Sequence, residues 1–247
     1  MAQPEEQTTP RPSAPWFPTT HWSVILAAAD STSPEAGAAW EKLACTYWYP
    51  FYAYVRRRGY SPEDAQDLTQ EFFARLLEKK SLKLADQDRG KFRAFVLTSL
   101  KHFLVKEWEK GRAAKRGGGQ VLLSIDHPAA ESRYLAEPAG DLPPDKLFEK
   151  RWAITILEEV LGRLQQEWAD KAEQFERLKD FLWGEKNLAS QAEIAAQLGL
   201  SVSAVKSAVH RLRLRYRALL RTEIAHTVAR AEDIDEELRY LIAIIGQ

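Results

Sequence analysis

Residues 191–221, QAEIAAQLGLSVSAVKSAVHRLRLRYRALLR, leave the chain little choice of local structure. Ser190, followed three residues later by Glu193, makes a capping box that starts a short helix, and Gly199 supplies the tight turn that ends it. Ser201 then caps a second, longer helix. Along it Val205, Val209, Leu212 and Tyr216 recur at helical spacing and mark the side to be buried. Ser203, Lys206, Ser207 and His210 fall on another face. Arg211, Arg213, Arg215, Arg217 and Arg221 follow, with no acidic residue between Lys206 and Arg221. Helix, glycine turn and basic helix is the order that sets a second helix into a DNA major groove. A plain helical hairpin with a solvated basic face is the blander alternative. Caps, turn and one-sided charge agree on DNA.

Net charge is silent about partners, because 35 Lys and Arg balance 35 Asp and Glu. Its distribution is not silent. Lys101, Lys106, Lys110, Arg112, Lys115 and Arg116 face only Glu107 and Glu109 in their stretch. Acidic residues gather instead at 63–71, 126–145 and 232–237. Two separated basic blocks on a neutral chain point to two nucleic-acid contacts. Cys45 has no second cysteine to pair with in the chain, which suits a reducing cytoplasm. No apolar run approaches a membrane span, and MAQPEEQTTPRPSAP is polar and Pro-rich, unlike a signal peptide. A soluble cytoplasmic protein with no membrane partner is expected.

Residues 1–18 read as a disordered lead-in, and from Thr19 onward the pattern is helical, so the fold class expected is all-α. His21 to Ala29 is a short apolar piece. A helix opening at Pro34 carries the cluster Tyr47, Trp48, Tyr49, Phe51, Tyr52 and Tyr54, and Arg56, Arg57 and Arg58 close it. Ser61 caps the next helix, whose apolar stripe is Ala65, Leu68, Phe72 and Leu76. A turn at Asp88, Arg89 and Gly90 precedes KFRAFVLTSLKHFLVKEWEKGRAAKR, and Gly117 to Gly119 end that segment. Residues 117–146 are rich in Pro, Ala and acid and read as a flexible linker between two small helical domains, 19–116 and 147–221. In the second, an amphipathic helix runs through Trp152, Ile156, Val160 and Leu164, and another spans about 170–182. Residues 222–247 read as a C-terminal helical extension, with Leu238, Leu241, Ile242 and Ile245 behind acidic residues. Those acids could cap the second domain or fold back over its basic helix.

Asp64, Asp67 and Glu71 line up at spacings of three and four. A solvated face, a docking surface for a basic partner and a metal or acid–base site all fit that line. The last lacks further convergent ligands. Phe92, Phe95, Leu100, Phe103, Leu104 and Trp108 interleave with Lys101, His102, Lys106 and Lys110. Rings beside cations suit single-stranded nucleic acid, while a core helix with basic decoration fits equally. His21, His102, His127, His210 and His226 show no metal-ligand spacing, and no phosphate loop or nucleophile motif is present. No enzyme, cofactor or metal is expected.

DAQDLTQEFFARL, FRAFVLTSLKHFLVKEW, an acidic Pro-rich linker and EIAAQLGLSVSAVKSAVHRLRLRY, in that order, resemble bacterial RNA polymerase sigma factors of the extracytoplasmic-function branch. The likeness covers residues 20–221. It implies two partners, core RNA polymerase and promoter DNA, with room for an inhibitory or modifying regulator. Polymerase docking would fall to Asp64, Asp67, Leu68, Gln70, Glu71 and Phe73. Minus-ten opening, in which a base is flipped into a pocket, would fall to Lys101, His102 and Lys106, with Phe92, Phe95 and Trp108 in support. The minus-thirty-five element would be read by Ser203, Lys206, Ser207, His210 and Arg211, with Arg213 beside them. Such a protein sits at the nucleoid when bound to polymerase. Gln66, where relatives often carry an acid, His102 for an expected Asn and Ala208 for a frequent Arg depart from the pattern. The first two bear on docking and base preference, the third on promoter affinity. A stand-alone helix-turn-helix regulator is the alternative.

Overall fold

The computed structural model describes residues 34, 36–78, 91–113, 127–136, 141–183, 191–225, 227–228 and 230–246. The expected lead-in, the apolar piece at 21–29, the turn at Asp88 to Gly90, Gly117 to Gly119 and Ser190 with its capping box lie outside them. Helix α1 (Ala36–Arg57) buries Tyr47, Trp48, Tyr49, Phe51, Tyr52 and Tyr54 almost completely. From Thr46 to Val55 every residue of it is buried, which makes this part of the helix central. It continues through Pro50, whose missing N–H leaves one helical bond unmade, in a stretch held by packing on all sides. α2 (Pro62–Glu78) lies against it. The Phe51 ring meets Phe72 edge-on at 5.1 Å and Phe73 at 5.4 Å. α3 (Phe92–Ala113) adds Val96, Leu100, Phe103 and Leu104 to the same core.

α4 (His127–Ala136) stands inside the stretch expected to be linker. Pro128 occupies the first turn, where proline is tolerated, and Ala130 is buried. Glu131 accepts two hydrogen bonds from Arg56, at 3.0 and 2.8 Å, and one from the Tyr52 hydroxyl. Arg133 lies over the Tyr49 ring at 4.2 Å. Composition suggested a tether here; Pro128 and Glu131 belong to a docked helix.

α5 (Pro144–Glu167) begins on a proline pair and carries Leu147, Phe148, Trp152, Ile156, Val160 and Leu164 as its buried row. The expected domain boundary at 147 falls in its first turn. Phe148 stacks on Phe51 at 5.6 Å, and Thr46 donates to Glu159 at 2.7 Å, so α5 runs antiparallel to α1. Past α6 (Ala172–Leu178), flanked by single 3-10 turns at Ala169–Lys171 and Lys179–Leu182, come α7 (Gln191–Leu198) and α8 (Val202–Ala225). The helix expected over 170–182 is thus split into three short turns. α8 also packs on α5, with Arg163 bonded to Glu223 at 2.6 Å and the Tyr216 hydroxyl to the Leu157 carbonyl at 3.4 Å. α9 (Ile234–Ile245) lays Leu241 and Ile244 into the angle between α5 and α8. Two units on a tether were expected; the buried side chains of α5 join those of α1 and α8 in one continuous cluster. Nine α-helices and no strand appear among the described residues, as the all-α expectation had it.

Candidate nucleic-acid interface

The turn before α8 is closed by the backbone. Gly199 adopts φ +63°, a left-handed conformation that glycine accepts without penalty. Leu200 N–H reaches the Ala195 carbonyl at 2.9 Å and Gly199 N–H the Ala196 carbonyl at 3.4 Å, the paired bonds of a Schellman motif. Ser201 then caps α8, its Oγ accepting from Ala204 N–H at 3.1 Å. Val205, Val209, Leu212 and Tyr216 are buried, as their spacing requires. Ser203, Lys206, Ser207, His210 and Arg211 are all exposed and share one stripe at intervals of three and four.

The other arginines divide. Arg213 is half-buried and donates to the Phe181 carbonyl at 2.9 Å, so it fastens α8 to the turn before it instead of joining the stripe. Arg215 pairs with Glu167 at 2.5 Å, and Arg221 with Asp235 of α9. Arg217 is exposed. Ala208 is 1% exposed, so an arginine there would have to enter the core, and the departure at this position is one of packing. The acidic tail does not cover the stripe. Asp233 and Glu232 pair with Arg230, and Glu237 faces α3.

On α3, His102 and Lys106 are exposed, and Val105 and Trp108 stand 52% and 56% exposed beside them. Lys101 reaches Asp145, at the start of α5, at 2.5 Å. Phe92 is buried edge-on to Tyr47 at 5.5 Å, and Phe95 is partly buried, so these two brace the helix from within. Val105 went unremarked in the sequence, though it lies four residues from Lys101 and three from Trp108.

Asp64, Asp67 and Glu71 are exposed along α2, which Ser61 caps by accepting from Asp64 N–H at 3.1 Å. Leu68 is half-buried, while Gln70 and Phe73 turn inward and back the acidic face from below. Arg75, also missed in the sequence, bonds Glu71 at 2.5 Å and Glu107 of α3 at 2.6 Å, with its guanidinium 4.7 Å from the Phe103 ring centre. Burial pushes the Glu107 carboxyl up, but bonds from Lys110 and Arg75 outweigh it and hold the group below its ordinary value. One exposed acidic face and two exposed basic faces therefore sit on one helical body.

A helical body with a capped, basic, outward-facing helix behind a glycine turn has the build of a DNA-binding protein. The family model described as ECF sigma factor matches residues 55–222, and the chain belongs to that family. It is accordingly a sigma factor acting in transcription initiation, in a family of non-enzymatic, DNA-binding transcription regulators that partner core RNA polymerase and promoter DNA. No match was found among curated proteins or among solved structures. No helix among the described residues is long and apolar enough to cross a membrane.

Proposed function

We propose that this sigma factor docks on core RNA polymerase through the carboxylate face of α2, reads the minus-thirty-five element with α8 and opens the minus-ten element with α3. The observation that carries it is the exposed stripe of Ser203, Lys206, Ser207, His210 and Arg211 on a helix whose start is fixed by cap and turn. Major-groove reading needs short polar groups and cations on a rigid edge. Arg217, on the flank, supplies a phosphate contact that positions without specifying. Parting a strand costs a few kcal/mol per unstacked base, and ring faces such as Trp108 beside Lys106 and His102 are where a freed base regains its stacking.

In this scheme residues 19–116 and 147–221 remain two functional units, one for each promoter element, and 117–146 joins them. Action at the nucleoid, in the cytoplasm, follows from polymerase binding. An inhibitory or modifying regulator would act by covering the α2 or α8 face. The test is reconstitution with core polymerase, pull-down and sequencing of the bound DNA, with run-off transcription from the recovered promoters. Selected promoters should be enriched only in the presence of the chain. Glu71→Lys should keep the helical content and lose polymerase. If core polymerase gains no selectivity while the chain alone selects a duplex, and Glu71→Lys changes nothing, the stand-alone regulator takes its place.

A further inference from the structure

The family match stops at residue 222, so α9 lies wholly beyond it. One side of α9 is apolar and anchored: Leu241 and Ile244 are buried, and Ile234, Leu238 and Ile245 pack against the core. From the same helix Glu237, 0% exposed, is aimed at the start of α3. Its carboxylate meets Lys91 Nζ at 2.5 Å and both terminal nitrogens of Arg93, one of them at 3.3 Å. The Arg93 guanidinium lies 4.7 Å from the centre of a Trp152 ring and 5.0 Å from that of Tyr240, which completes the enclosure. A carboxylate sealed from water persists only where its charge is met, and here two cations meet it.

The α3 terminus explains why the charge is wanted. The positive end of a helix dipole favours carboxylates and disfavours cations. The first turn of α3 holds no acidic residue and starts KFR. Lys91, just before the helix, accepts Ala94 N–H and Phe95 N–H through its carbonyl, at 3.0 and 3.3 Å, while its side chain brings a cation to this end rather than an acceptor. Burial and the Arg93 charge beside it both draw the Lys91 ammonium below its ordinary value. By its own sequence this turn is at odds with itself.

Given the assignment of α3 to strand opening, we infer that Glu237 is a positioning residue for that helix: α9 supplies the negative charge that the first turn of α3 lacks and so fixes where the helix begins. The C-terminal helix is thereby part of the strand-opening apparatus of this sigma factor.

The test uses the full chain and Glu237→Gln, with amide exchange of residues 92–97, polymerase affinity and 2-aminopurine fluorescence at the minus-ten element as readouts. Exchange in that segment should quicken about tenfold or more while α8 keeps its rates. Strand opening should fall several-fold at unchanged polymerase affinity. Lys91→Glu in the Glu237→Gln chain places a carboxylate at the same helix end from within α3, and it should restore both. Glu237→Asp keeps the charge on a shorter arm, covers a Gln variant too unstable to purify, and should fall between. Unchanged exchange at 92–97, loosening spread equally over α8, or strand opening that rises would each overturn the assignment. A wild-type chain that opens no promoter with polymerase would instead sink the role given to α3, and the exchange data would still decide that of Glu237.

Discussion

The two helices proposed to touch DNA, α3 and α8, are built on opposite plans. α8 buries Val205, Val209, Leu212 and Tyr216 on one side and shows polar groups and cations on its stripe, with Val202 and Leu214 exposed off the stripe, and it starts on its own serine. α3 buries Leu100, Phe103 and Leu104 yet leaves Val105 and Trp108 largely in water, and at its start Arg93 is paired with Glu237, 144 residues away. A helix that reads a closed duplex needs only a firm edge, which local sequence can supply. A helix that receives a parted strand must keep apolar surface exposed, so its stability has to come from what lies behind it. In this chain that backing is α1, α2 and α5.

Phe51 of α1 is where that backing converges, touching Phe72 and Phe73 of α2 and Phe148 of α5 while itself sealed from solvent. Phe51→Ala is expected to cost about 3–5 kcal/mol, the largest effect of any single change considered. Because α5 carries α8 as well, the loss should reach both helices in one step. Urea unfolding followed by far-ultraviolet circular dichroism and by tryptophan fluorescence should give coincident curves, shifted together in the variant. Two separated transitions, with only the first displaced, would restore a tethered pair and dissolve the contrast in backing between α3 and α8.

How much of this could be read beforehand depended on how local the cause was. The start, turn and buried row of α8 were legible because Ser201, Gly199 and the apolar spacing all act within one or two helical turns. The aromatic run of α1 was legible as core for the same reason. The helix at 127–136 was not legible, since Pro and acid content says nothing of which partners lie near, and Arg56 and Tyr52 meet Glu131 from another element. Phe73, Gln70 and Phe92 were grouped with an interface by motif, but a motif says which residues recur together and not which way each one faces. Ala208 and Arg213 show the same limit on α8. Arg75 and Glu237 act by long reach across elements, and no periodicity announces that.

Substitutions on the two exposed faces sharpen the contrast further. On α8, Lys206→Ala or His210→Ala should cost about 1–3 kcal/mol at preferred promoters and little elsewhere, seen as flattened base preference in bound-DNA sequencing. Arg217→Ala should weaken all sequences alike and reduce the salt slope of binding by about one. On α3, Trp108→Ala should leave duplex affinity alone and weaken capture of a single strand by about 1–3 kcal/mol, measured with a minus-ten non-template oligonucleotide and reconstituted polymerase. If Trp108→Ala lowered duplex and strand binding equally, the exposed ring would be serving α3 merely as ordinary surface.

The smallest effect tests the claim that α8 is self-starting. Ser201 Oγ accepts from Ala204 N–H at 3.1 Å, and the Ser201 carbonyl accepts from Val205 N–H at 3.1 Å, so the side chain satisfies one amide that the helix itself cannot. Ser201→Ala should therefore cost about 1 kcal/mol, and Ser201→Asp, which keeps an acceptor and adds a charge suited to the dipole, should recover it. The loss should be local: amide exchange at 202–206 should quicken while 92–97 stays as it was. Lys206 is five residues from the cap, so promoter selectivity should slip slightly with the frayed turn, although no DNA-facing group has been removed. If Ser201→Ala left exchange at 202–206 unchanged, α8 would owe its start to packing against α7 and α5 rather than to its own cap. It would then be held from outside just as α3 is.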